Sequence, residues 1–132
     1  MTRASRTVLF VEDDSVLAMI VIRHLRTRGH DARSAGTAAE AREMLAAGFR
    51  PDIVLLDINL PDASGWDLVR SSAFAAAGTP AVYLVTATTV PPARLREFDI
   101  AGFLPKPFAM STLVEIVDRH SAPSPAPLGE FE

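Results

Sequence analysis

Apolar positions along the chain alternate between two rhythms. Residues 7–11 (TVLFV), 52–56 (DIVLL), 81–86 (AVYLVT) and 102–105 (GFLP) are short, nearly unbroken apolar runs and read as strands. The stretch from Ile53 to Leu56 suits a strand buried on both faces. Residues 30–35 (HDARSA) form a weaker, more polar strand that fits a sheet edge. Between the strands the period becomes helical. Leu17, Ile20, Val21, His24 and Leu25 stand on one face of a first helix that ends near Gly29. Thr37 caps a second helix carrying Ala38, Ala41 and Leu45, closed by Gly48. A third helix is predicted over 64–77 with Leu68, Val69 and Ala73 inward, and a short fourth over 92–98. The last spans 110–120, with Leu113, Val114 and Val117 on one face. Residues 121–132 are a Pro/Ser-rich flexible tail, and no internal repeat is present.

Five strand–helix units predict an α/β domain over residues 1–120, a doubly wound parallel sheet with helices on both faces. Ligands of such sheets bind beyond the carboxyl ends of the strands. Those ends are polar here. Glu12, Asp13 and Asp14 follow the first strand and Asp57 the third; Thr86 ends the fourth and Lys106 follows the fifth. Only the second strand ends without such a group.

Composition narrows the classes. A chain of 132 residues suits one domain, and 48% hydrophobic residues can fill a core. A net charge of −3 gives no electrostatic case for nucleic acid binding. The absence of cysteine excludes disulfides and thiolate metal sites. No apolar run approaches the ~20 residues that span a bilayer, and residues 1–10 lack the apolar core of a signal peptide. A cytoplasmic protein without membrane contact is expected. Of 13 basic residues, Lys106 alone is lysine.

Three acids within reach of one another repel, and a divalent cation removes that penalty. Magnesium takes hard oxygen ligands, keeps waters, and binds through one or two carboxylates plus phosphate oxygens. Asp13 and Asp57 suit direct ligation, Glu12 a contact through water, and the backbone carbonyl of Asn59 a further oxygen. Thr86 and Lys106 at the same rim suit phosphoryl oxygens. A carboxylate can itself be the nucleophile and form an aspartyl phosphate, a transfer that needs mainly positioning and charge neutralisation. A lone lysine in an arginine-rich chain fits a need for a compact point charge. Each residue also has a plainer reading. Asp14 serves better as a helix cap than as a ligand, and Asp57 alone could be a turn residue before Pro61. Thr86 alone is an ordinary strand end and Lys106 a surface lysine. Phe103 and Trp66 suit the core, and His24 and His120 suit packing or helix boundaries. The coincidence of four strand ends favours the site.

The segments VLFVEDD, DIVLLDINLPDASGWDL, VTA and GFLPKPF, in this order and spacing, resemble the receiver domain of two-component response regulators over residues 6–120. The resemblance implies a flavodoxin-like (βα)5 fold of strand order 2-1-3-4-5. It implies magnesium-dependent phosphorylation of Asp57 by a histidine kinase or a histidine phosphotransfer protein, with Glu12 and Asp13 as the acidic pair and Asp13 the direct ligand. Thr86 and Lys106 then sense the phosphoryl group, Phe103 is the switch aromatic, and the Lys106–Pro107 bond is cis. Such a module acts only on its own phosphorylation state and is otherwise not an enzyme; its output goes to a downstream protein target.

Two features depart from the family. Thr86 and Lys106 lie 20 positions apart (106 − 86), shorter than usual, and TTVPPAR puts two prolines at the start of the fourth helix. That helix should be short or displaced, which makes the usual dimerisation face a poor one and a monomer the expectation. Only 12 residues follow His120 (132 − 120), so the chain reads as a single-domain regulator or a receiver excised from a larger protein. One alternative is an interaction module that has lost phosphorylation, against which the complete polar set argues. Another is an aspartate-nucleophile phosphatase of the haloacid dehalogenase kind, which needs a second aspartate where Asn59 stands. A dinucleotide-binding domain is excluded by the first turn, VEDDS, which has no glycine.

Overall fold

Five parallel strands form the centre of the computed structural model, which describes residues 5–120. They are β1 (Thr7–Val11), β2 (Asp31–Ala35), β3 (Ile53–Leu56), β4 (Ala81–Thr86) and β5 (Gly102–Pro105), in the sheet order β2-β1-β3-β4-β5. Six helices connect and follow them: α1 (Ser15–Thr27), α2 (Ala38–Ala46), α3 (Gly65–Arg70), α4 (Ser72–Ala76), α5 (Pro92–Glu97) and α6 (Met110–Arg119). The two-residue period of the strands divides the core in two. Val8, Phe10, Ile53, Leu55 and Val85 face α1 and α6, meeting Val21, Leu25, Leu113 and Val117. Leu9, Val11, Val54, Leu56 and Leu84 face the other way, onto Leu45 of α2, Leu68 of α3 and Phe74 of α4. β3 is buried throughout, whereas β2 exposes three of its five residues, as an edge strand can. The 121–132 tail expected from the sequence lies outside the described residues. Among those residues no helix is long and apolar enough to cross a membrane.

The helix expected over 64–77 is two helices. Ser71 has ψ 154, outside the helical range, and ends α3 while capping α4. Its hydroxyl donates to the Leu68 carbonyl at 2.7 Å and accepts from the Phe74 N–H at 3.2 Å. Serine here offers the backbone local partners that compete with the helical ladder. The apolar period runs through the break, which is why the period alone conceals it.

The short helix expected over 92–98 is α5. Pro91 occupies its cap, Pro92 its first position, and none of its residues is fully buried. It is held from the side. Phe98, just past its end, stacks on Trp66 of α3 with ring centroids 4.5 Å apart. The guanidinium of Arg70 lies 4.9 Å from the Phe98 ring and that of Arg94 5.6 Å from the Trp66 ring. Trp66 is half-buried, packed against the core as its chemistry suggests, and also clamps α3 to the end of α5. At the opposite end of the sheet His120 caps α6, where its Nδ1 pairs with the Tyr83 hydroxyl at 2.8 Å and its carbonyl accepts from Arg6. His24 is exposed on α1, with Nδ1 2.9 Å from the Ile20 carbonyl.

Candidate functional site

Strand register builds the site. Val11 pairs with Leu56 at the end of β1 and β3, so the next residues, Glu12 and Asp57, emerge side by side. The Asp57 N–H continues the ladder to the Val11 carbonyl at 3.1 Å. Thr86 pairs with Pro105 across β4 and β5, and the Lys106 N–H continues to the Thr86 carbonyl at 3.1 Å. The Lys106–Pro107 bond is cis, as the resemblance implies. Asp14 caps α1, accepting from the Val16 and Leu17 amides, and is not among the clustered acids.

Three carboxylates converge. Glu12, Asp13 and Asp57 each present an oxygen within 4.8 Å of the other two. Glu12 and Asp57 are buried, at 2% and 6% exposure, while Asp13 faces solvent. The Lys106 ammonium spans the buried pair, 2.5 Å from Glu12 Oε1 and 2.9 Å from Asp57 Oδ2. Burial pushes the Glu12 carboxyl above its ordinary value; its hydrogen bonds to Lys106 and to the Asp14 N–H, and the charge of Lys106, pull the other way. Burial alone would lower Lys106, but its bonds to Glu12 and Asp57 and their charges outweigh that and raise it. Asp57 is oriented from both sides: Oδ2 takes Lys106, and Oδ1 takes the Asn59 N–H at 3.0 Å.

Thr86 is buried at the same rim, and its hydroxyl accepts from the Thr88 N–H at 3.3 Å. The Thr88 hydroxyl accepts in turn from the Asn59 side chain, closing a polar bridge from the β3–α3 loop to the β4–α5 loop. Phe103 is 39% exposed, so it stands outward rather than in the core. Glu12, Asp13, Asp57, Thr86 and Lys106 thus lie together at the carboxyl end of the sheet, whereas His24 and His120 stand apart from it. Sequence reasoning missed Thr88, Asp62 and Gly65. Asp62 caps α2 from a distance, accepting from the Ala38 and Ala39 amides. A Cβ on Gly65 would come within 2.8 Å of the Asp57 carbonyl and 3.0 Å of the Ile58 Cα. Glycine at a helix start, where it is otherwise a weak choice, was a legible hint.

The donor set suits a hard divalent cation. It is all oxygen, partly buried, and carries more negative charge than one lysine neutralises. Asp13 and Asp57 would hold the ion, with Asn59, whose N–H meets Asp57 Oδ1, offering its carbonyl as a further oxygen; Glu12, engaged by Lys106, would act through water.

Comparison with known proteins gives the family. The family model for the response regulator receiver domain matches residues 8–118. The probable transcriptional regulatory protein TcrX of Mycobacterium tuberculosis is 36% identical over 110 residues, covering 82% of this chain and 46% of that protein. The DNA-binding transcriptional regulator NtrC of Azospirillum brasilense is 28% identical, covering 88% of this chain and 24% of that protein. The chain thus spans less than half the length of these curated relatives. Among solved structures, the non-phosphorylated HemR receiver domain from Leptospira biflexa superposes with a TM-score of 0.74 at 31% identity, covering 89% of this chain and 98% of that one. With 8–118 matched by one family model, on a sheet of the expected order, the chain belongs to the response regulator receiver domain family.

Proposed function

We propose that Asp57 is the phosphoryl acceptor of a signalling receiver, supplied by a histidine kinase or a histidine phosphotransfer protein and read by a downstream protein target. Receiver domains of two-component systems act in phosphorylation-dependent signalling and generally use Mg2+. The observation that carries the assignment to Asp57 is the ammonium of Lys106 placed on its Oδ2 in an acidic, half-closed cluster. Asp57 would attack phosphorus through a carboxylate oxygen; the bond from phosphorus to the donor imidazole nitrogen breaks with its electron pair going to that nitrogen, and, with a proton already on the ring's other nitrogen, the donor leaves as neutral imidazole. Magnesium bound by Asp13 and Asp57 would neutralise charge on the transferring group. Lys106 pairs with a phosphoryl oxygen, and Thr86 turns its hydroxyl from Thr88 toward another. The volume Thr86 leaves is filled by Phe103, which has no hydroxyl and buries no polar group on entering. The short, laterally held α5 supports a monomer.

Intact mass after incubation with phosphoramidate and Mg2+ tests the assignment. The protein should gain one phosphate and Asp57→Asn none; full labelling of Asp57→Asn overturns it.

A further inference from the structure

We infer that Asp62 is a positioning residue: by clamping the tip of the β3–α3 loop to the start of α2, it holds Asp57 and the Asn59 carbonyl in the arrangement that takes the divalent cation. The inference rests on the acceptor reading above and adds a residue outside the acidic cluster. Asp62 lies five positions beyond Asp57 (62 − 57), in a loop whose arms are joined by the Asn59–Ser64 bridge and by the Gly65 N–H on the Ile58 carbonyl at 2.8 Å. Its carboxylate reaches across to another element. Oδ1 accepts from the Ala38 N–H and Oδ2 from the Ala39 N–H, each at 2.9 Å.

These are the first two amides of α2, which have no partner inside the helix and lie at the positive end of its dipole. The helix's own cap, Thr37, serves a different amide, that of Glu40 at 3.0 Å. The two caps are therefore separable. Thr37 acts within α2, whereas Asp62 ties α2 to the loop. The hydrogen bonds from Ala38 and then Ala39 hold the Asp62 carboxyl below its usual range, although it is exposed. On the far side the same loop is tied by the Asn59 side chain to Thr88. It is thus held between two neighbours, and its Asn59 N–H fixes Asp57 Oδ1 at 3.0 Å. Release on the α2 side leaves the acids in place and loosens the peptide that orients them.

The test uses Mg2+ alone as probe, titrated while backbone NMR shifts of Asp57 and Asn59 are followed, with hydrogen exchange at Ala38 and Ala39. Asp62→Ala should raise the Mg2+ Kd about tenfold, the low end of what outer-shell partners cost, and speed exchange at both amides. Asp62→Asn, with one acceptor oxygen left, should fall between. Thr37→Ala should lower thermal stability yet leave the Mg2+ Kd at the wild-type value. A wild-type Kd in Asp62→Ala, or an equal rise in Thr37→Ala, overturns the inference. Asp13→Ala separates the two readings: if it binds Mg2+ as wild type does, the cation assignment itself fails, and this inference with it.

Discussion

Replacing Lys106 by methionine isolates the work of its ammonium, because the side chain keeps a similar length and loses the charge. In the folded protein that charge lies 2.5 Å from Glu12 and 2.9 Å from Asp57. Without it two buried carboxylates face each other with oxygens within 4.8 Å. At that separation and an effective dielectric of about 20, their repulsion is about 3.5 kcal/mol. This agrees with the roughly 3–5 kcal/mol lost when one partner leaves a buried pair. It is a large share of the ~5–15 kcal/mol that holds a domain together. The sign with pH follows. Burial already raises Glu12, and Lys106 opposes that rise. Removing Lys106 lifts the folded-state value further above the unfolded one. The folded form then binds more protons, so the deficit is full at neutral pH and shrinks as pH falls through the raised value. Urea unfolding of Lys106→Met, near neutral pH and near pH ~5, with and without Mg2+, measures this. The deficit should be about 3 kcal/mol at neutral pH without the ion, and smaller in acid or with Mg2+. The same deficit in all four conditions would refute the electrostatic account and point to lost packing of the lysine stem.

Two further outcomes concern the ends of the sheet. Phe98→Ala removes the stack on Trp66, a contribution of about 0.5–1.5 kcal/mol; because α5 buries no residue of its own, amide exchange over 88–99 should quicken about 2–10-fold while α1 keeps its protection. Equal quickening in α1 would show the stack to be part of the global core. Burial, and then the Arg6 charge, hold His120 below its ordinary value, with Asp52 pulling weakly upward. Its contribution to stability is therefore present above the unfolded value of ~6.5 and lost as pH falls toward the folded one. His120→Gln should flatten the pH dependence of urea unfolding across that window, and an unchanged slope would remove His120 as its source.

The sheet was legible because four of its five strands are written as apolar runs with a polar group at their carboxyl ends. Glu12, Asp57 and Lys106 could be grouped before any coordinates, since parallel strands must bring those ends to one edge. The break at Ser71 was not legible, because the apolar period runs through it while one hydroxyl bonds back to the first helix and caps the second. Asp62 was hidden for another reason. Its partners are the backbone amides of Ala38 and Ala39, and an amide leaves no mark in the sequence. Phe103 reads as core by its chemistry; only its place on the edge strand β5 accounts for its exposure.

The separation of the site residues along the chain also has a consequence in time. Asp57 follows Glu12 by 45 positions (57 − 12), and Lys106 follows Asp57 by 49 (106 − 57). A ribosome adding about 5–20 residues per second completes Asp57 about 2–10 s before it reaches Lys106. If β1 zips onto β3 in that interval, two acids meet with no ammonium yet synthesised. The β3–β4 pair brings no such charges together and forms without that penalty. Because its counter-charge is encoded last, the nascent sheet has an electrostatic reason to join its central strands late, or around a divalent cation.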